Sequence, residues 1–354
     1  MRQTVRFLNT EDEVTLAWAE TGRGPPLIRA SNWLTHLEYD WESPVWRHWT
    51  EFLARHFRYV RYDERGCGMT DWKVGDLSLE RWVQDLSAVV EAAKVRQPMI
   101  LFGVSQGAAV AITYAVKHPE RVSHLVLHGG YPVGAKYRDD TSHVRAYRAM
   151  QDLARVGWDK DNPVFRQVFT SRFIPEGTEE QIHWFNELCK RTTTPEIAYR
   201  LLEARAEVDV RDLLEKVRAP TLVLHSIGDE VIPVSQGRWL AREIPSAEFV
   251  PLNSRNHVLL EHEPAWQDFK SAILQFTGVA DEASTASGLT GTLTQRERQV
   301  FDLLCEGLAN ARIAEELSIS EKTVRNHLSR LYEKLGVRSR SEALVLAHKH
   351  GIPR

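Results

Sequence analysis

The chain has 354 residues, of which 43% are hydrophobic and 26% charged, and a formal net charge of −3. This length predicts two or three domains, and the composition excludes disorder, a collagen-like repeat or a long coiled coil as the main architecture. No apolar run approaches the roughly 18 residues of a transmembrane helix, so no membrane association is expected. The first residues lack the apolar stretch of a signal peptide.

Residues 5–8 and 14–19 read as an N-terminal hairpin. Beyond it, short β-rich runs at 57–62, 99–102, 125–128, 221–225 and 248–252 alternate with helical stretches at 84–94 and 107–118. That rhythm predicts a parallel sheet covered on both faces, which the hairpin extends. Residues 133–215 break the rhythm. They are rich in helix formers, with Trp158, Phe165, Phe169, Trp184 and Phe185 among them, and read as a helical insertion capping the sheet. Ordinary packing helices would show the same amphipathic spacing.

Residues 278–292 are small and polar, without an apolar period, and form the one clear linker. From there the chemistry changes. Residues 289–354 hold 11 Lys and Arg against 8 Asp and Glu, whereas the preceding part holds 34 against 40 and all 11 tryptophans. The small piece leans towards an anionic partner. The three cysteines, Cys67, Cys189 and Cys305, are odd in number and far apart. They predict neither disulfides nor a metal site, which fits a reducing cytoplasm; no cofactor is expected.

Chemistry is concentrated in two places. After the 99–102 strand comes Gly103-Val104-Ser105-Gln106-Gly107 and then a helix, which is G-x-S-x-G in strand–turn–helix context. A serine at such a turn projects above the sheet, and the helix start offers N–H groups to an oxyanion. A serine needs a base, itself held by an acid. Asp229 follows the 221–225 strand, and His257 lies in a loop after the 248–252 strand. Each alone is an ordinary turn or loop residue. In the order Ser105, Asp229, His257, three loops at one sheet edge can form a catalytic triad.

With those residues in place, the chain resembles the α/β-hydrolase fold family over residues 1–277. The loop Asp63-Glu64-Arg65-Gly66-Cys67-Gly68-Met69-Thr70 is similar to one that family members carry in a structural role. The resemblance implies an α/β-hydrolase sheet with a helical cap at about 133–215. It also implies an oxyanion hole from the N–H groups of Gln106 and Trp33. One departure stands out: members usually carry His-Gly after the third strand, where this chain runs Leu27-Ile28-Arg29-Ala30-Ser31-Asn32-Trp33, with Asn32 in place of the glycine. A ligand pocket is expected from Asn32, Trp33, Ser105, Trp158 and Trp184.

Residues 293–350 read as four helices. Thr294-Gln295-Arg296-Glu297 is a capping box opening the first, and Ser320 caps the third. The third carries Val324, Leu328, Leu331 and Leu335 on one face and Lys322, Arg325, Asn326, Ser329 and Arg330 on the other. Two helices joined by a short turn, the second polar and basic on its free face, are a helix-turn-helix. A small protein-interaction module is the plainer alternative.

The string from Leu293 to Val300, with Asn310, Ile313-Ala314, Leu317, Ser320 to His327 and Lys334-Leu335-Gly336-Val337, closely resembles the LuxR/NarL-type DNA-binding domain. The resemblance implies that Arg325, Asn326 and Ser329 face bases and that Lys322, Thr323, His327 and Arg330 lie on the phosphate side. It further implies a homodimer through the last helix. Ala311 stands where members often carry lysine.

The expected whole is an α/β-hydrolase-like sensor (1–277), a linker (278–292) and an all-α DNA-binding domain (293–354). It would be a one-component regulator of promoter DNA that responds to a small acyl, ester or lactone ligand. The alternative is an active serine hydrolase whose turnover or acylation is itself the signal.

Overall fold

Val5, Phe7 and the apolar run from Leu16 to Ala19 pair as an antiparallel hairpin, β1 (Thr4–Asn9) with β2 (Thr15–Thr21). In the computed structural model, which describes residues 3–138, 141–280 and 293–349, this hairpin leads into an eight-stranded sheet. β3 (Pro26–Ala30), α1 (Arg47–His56), β4 (Arg58–Tyr62), α2 (Leu79–Ala92), β5 (Met99–Val104), α3 (Gly107–Lys117) and β6 (Val122–His128) follow. The strand order is β1-β2-β4-β3-β5-β6-β7-β8, with β7 (Thr221–Ser226) and β8 (Glu248–Leu252) at the far edge. β2 pairs antiparallel with β4; from β4 to β8 every pairing is parallel.

The central strands β3, β5 and β7 are buried along their whole length, as expected of parallel strands covered on both faces. α3 is buried from Gly107 to Ala115, so its residues Ala108 to Ile112 are apolar all round rather than on one stripe. α2 starts five residues before the expected helix because Ser78 accepts the N–H of Arg81 as its N-cap. α1 and, after β7 and β8, α8 (Val234–Glu243) and α9 (Pro264–Thr277, opened by Pro264 and closed by a left-handed Gly278) complete the helices around the sheet.

Residues between β6 and β7 are the helical cap: α4 (Thr141–Gly157), α5 (Val164–Phe173), α6 (Glu179–Thr192) and α7 (Pro195–Ala206). Thr178 with Gln181 forms a capping box at α6, and Thr194 with Pro195 starts α7. α4 packs on α7 and α5, and α5 on α6. A bridge between Val133 and Asp209 closes the base of the insertion.

The chain divides into two compact units, 1–278 and 279–354. Of the expected linker 278–292, residues 281–292 lie outside the described residues. In the second unit come α10 (Gln295–Cys305), α11 (Asn310–Glu316), α12 (Glu321–Leu335) and α13 (Arg340–Lys349). They enclose a core of Val300, Phe301, Leu304, Ile313, Val324, Leu328 and Leu331. α12 ends at Gly336 with φ 67°, a left-handed cap that glycine adopts without strain. The three cysteines are free and buried. Among the described residues no helix is long and apolar enough to cross a membrane, and no cluster of metal-ligating side chains occurs.

Candidate active site and nucleic-acid interface

Ser105 lies at the turn between β5 and α3 with φ 53°, a conformation rare for a residue with a side chain. Its N–H donates to the His128 carbonyl at 2.8 Å. Both flanking glycines are sterically required. A Cβ on Gly103 would lie 2.7 Å from the Ala108 Cα, and one on Gly107 would lie 2.8 Å from the Ala30 carbonyl oxygen.

The loops after β7 and β8 bring Asp229 to His257. His257 Nδ1 and Asp229 Oδ2 are 2.6 Å apart, and both residues are buried. The second carboxylate oxygen of Asp229 accepts the N–H groups of Val231 (2.8 Å) and Ile232 (2.9 Å). Burial opposes ionisation of Asp229, yet its attraction and hydrogen bond to His257, helped by the neighbouring imidazole and N–H groups, hold the carboxyl below its ordinary range. Donation from Nδ1 to the carboxylate leaves the Nε2 lone pair to act as base. Nε2 is buried and has no hydrogen-bond partner among the described residues.

Two further histidines brace this pair. His128 Nε2 bonds to the His257 carbonyl at 3.0 Å and His225 Nε2 to the Ile232 carbonyl at 2.9 Å. Burial lowers both imidazoles, His128 to about 3, and so favours their neutral forms. Gly129, with φ 58°, passes against the imidazole: a Cβ there would sit 2.9 Å from His257 Cε1.

Above Ser105 is a cavity of about 50 Å³, lined by Trp33, Tyr131, Tyr147, Phe169, Phe173 and Leu202 among others. Of the expected pocket residues, Trp33 and Ser105 line it. Asn32, Trp158 and Trp184 do not. Asn32, just past β3, is buried and turned back on its neighbours, accepting from Arg29 at 2.7 Å and donating to the Trp33 carbonyl at 3.1 Å. Trp158 stands behind the wall, its ring 5.5 Å from Trp33 and 5.3 Å from Phe169. Trp184 stacks on Tyr39 at 4.9 Å. Sequence analysis missed Tyr131, Tyr147, Arg172 and Arg205, which reach the cavity from the β6 loop and the cap. The N–H groups of Gln106 and Trp33 donate to no acceptor among the described residues.

The cap is fastened to the loops that carry Asp229 and His257. The Phe173 carbonyl accepts the N–H groups of His257 (2.9 Å) and Val258 (3.3 Å). Asn256 accepts the Glu176 N–H at 3.0 Å, and Arg172 Nε donates to the Glu230 carbonyl at 3.1 Å.

In the second unit, Val324, Leu328, Leu331 and Leu335 bury one stripe of α12. Lys322, Arg325, Asn326, Ser329 and Arg330 are exposed on the rest, while Thr323 and His327 are half-buried. The Ser320 hydroxyl accepts the Thr323 N–H at 3.1 Å, fixing the start of α12. Lys334 bonds Glu297 at 2.6 Å, tying the end of α12 to the capping box of α10. The Arg325 guanidinium lies 3.5 Å from Glu321, a loose surface pair that leaves it free to turn outwards.

Two family models match. Residues 45–264 match "Serine aminopeptidase, S33", an α/β-hydrolase family, and residues 291–347 match "Bacterial regulatory proteins, luxR family". AB hydrolase superfamily protein YisY of Bacillus subtilis is 27% identical over 77% of this chain and 98% of its own. Spore germination protein GerE of the same species is 58% identical over 15% of this chain and 72% of its own. A solved hydrolase from Pseudomonas aeruginosa superposes with a TM-score of 0.65 at 24% identity, covering 78% of this chain and 99% of that one; this supports the fold. The chain thus belongs to the α/β-hydrolases of the serine aminopeptidase S33 family, and its residues 291–347 are a DNA-binding domain of the luxR family of bacterial regulatory proteins.

Proposed function

We propose that this chain is a one-component transcription regulator whose hydrolase unit senses an acyl compound (an ester, lactone or similar) and thereby controls DNA binding by the luxR-type domain. One observation supports the reading most: Ser105 lines an apolar cavity, and a bonded Asp229–His257 pair stands on the loops after β7 and β8, in the same chain as a helix with an exposed polar face. A cavity of about 50 Å³ holds a few waters, so a ligand enters only as the cap yields. Binding then favours one cap arrangement over another, which is what regulation requires. Promoter DNA would meet Arg325, Asn326 and Ser329 at base edges and Lys322, Thr323, His327 and Arg330 at phosphates. A homodimer through α13 would set the spacing of half-sites.

A second reading, that the unit also turns its ligand over, is favoured by the buried 2.6 Å bond between Asp229 and His257. Ser105 Oγ would attack the acyl carbon while His257 Nε2 takes its proton and returns it to the leaving group. Asp229 would hold the imidazole in the required tautomer, and the N–H groups of Gln106 and Trp33 would receive the oxyanion.

The test is promoter binding by full-length protein with and without acyl ligand, in wild type and Ser105→Ala. A response kept by Ser105→Ala means that occupancy alone is the signal. A response lost while the ligand still binds means that acyl transfer is needed. A chain that ignores DNA whatever ligand is supplied refutes the regulator.

A further inference from the structure

The walls of the cavity above Ser105 carry two arginines, Arg172 and Arg205, and no carboxylate. Arg205 is the more unusual. It projects from α7 and is 4% exposed. Its Nη2 donates to Glu64 Oε2 at 2.5 Å. Its guanidinium is held against Trp33 and Trp82, 5.0 and 5.7 Å from their ring centres. Yet Nε and Nη1 are buried without a hydrogen-bond acceptor among the described residues. Buried guanidinium hydrogens are normally satisfied, and Arg205 is also one of the residues that line the cavity. Glu64 is the carboxyl paired with Arg205, and burial raises it to about 7 against the pull of that guanidinium. Arg172, held by the Glu230 carbonyl and the Met150 sulfur rather than by a carboxylate, supplies a second positive charge.

We infer that the ligand is an acyl compound bearing a carboxylate, which Arg205 receives while the acyl carbon lies at Ser105. This rests on the proposed role of the Ser105 cavity and narrows its ligand to half-esters, half-amides or lactones of dicarboxylic type. The apolar walls formed by Phe169, Phe173 and Leu202 would pack the chain between the two ends.

The experiment is calorimetric titration of full-length Ser105→Ala with succinamate, glutaramate and adipamate, each against the neutral amide of the same chain length. At least one acid is expected to bind tenfold or more tighter than its amide. Adding Arg205→Met should erase that advantage. Because Arg205→Met leaves Glu64 buried alone, the Glu64→Gln/Arg205→Met pair, which removes both charges, is measured beside it and should erase the advantage too. Equal affinities at every length, no binding of either class at millimolar concentration, or an advantage that survives either change overturns the inference. Fluorophosphonate labelling of wild-type Ser105 separates the two ideas. A labelled serine without acid preference keeps the acyl cavity and removes the Arg205 site. An unlabelled serine with acid preference keeps the Arg205 site and removes the serine chemistry.

Discussion

Ser105 at φ 53° and Gly129 at φ 58° are the two backbone positions on which the site turns. A left-handed serine costs on the order of 1–3 kcal/mol and persists only where its surroundings over-determine it. Here they do so through the His128 carbonyl, the start of α3 and two glycines with no room for a side chain. Gly129 has no sequence signature of its own, since its reason lies in an imidazole 128 positions later. Gly129→Ala should cost about 1–3 kcal/mol in denaturant unfolding. It should also slow labelling of Ser105 at least tenfold, because the new methyl group displaces His257. An unchanged labelling rate would show that the close approach is without consequence for the base.

Among elements, what local rules govern was legible in the sequence. The G-x-S-x-G turn, the Ser320 cap, the Thr294–Glu297 capping box and the four-three-four apolar spacing of α12 all rest on neighbours within a turn or two. In α12 the two faces should separate experimentally. Leu328→Ala removes a buried side chain and should cost about 2–4 kcal/mol of the second unit's stability. Arg325→Ala should leave stability intact and relax sequence preference. Lys322→Ala should weaken all duplexes alike and flatten the salt dependence by about one unit. The capping box gives a pH signature. Lys334, and then the Thr294 N–H, hold the Glu297 carboxyl down to about 2. Its contribution is therefore present above the unfolded value near 4.5 and is lost as pH falls towards 2. Glu297→Gln keeps the capping amide and should abolish that acid loss, as followed by amide NMR signals of α10 and α12.

At the scale of the whole chain, the unpredicted part is what distant segments do to one another. Glu64 and Arg205 meet across 141 positions and Gln181 and the Pro44 carbonyl across 137. No periodicity records such meetings, which is why the cap's contribution to the cavity was misassigned to Trp158 and Trp184. Buried Asp40 is another product of tertiary packing. Burial raises its carboxyl to about 7 against the pull of Arg61. The folded state thus binds a proton that the unfolded chain has released, so this stabilisation is full below pH 3.8 and is lost as pH rises towards 7. Asp40→Asn should therefore gain on wild type by up to about 1.4 kcal/mol per pH unit between pH 4 and 7. Tryptophan fluorescence reports this for the first unit alone, since no tryptophan lies in the second.

One carbonyl has a larger consequence than its size implies. Phe173 ends a cap helix, and its oxygen takes the N–H groups of His257 and Val258 together. Moving this end of the cap outwards would therefore pull on the backbone of His257 as well as that of Val258. On the proposed reading, admission of a ligand and the placing of His257 would be linked through this bond, beside the Asn256–Glu176 and Arg172–Glu230 bonds that hold the same end of the cap.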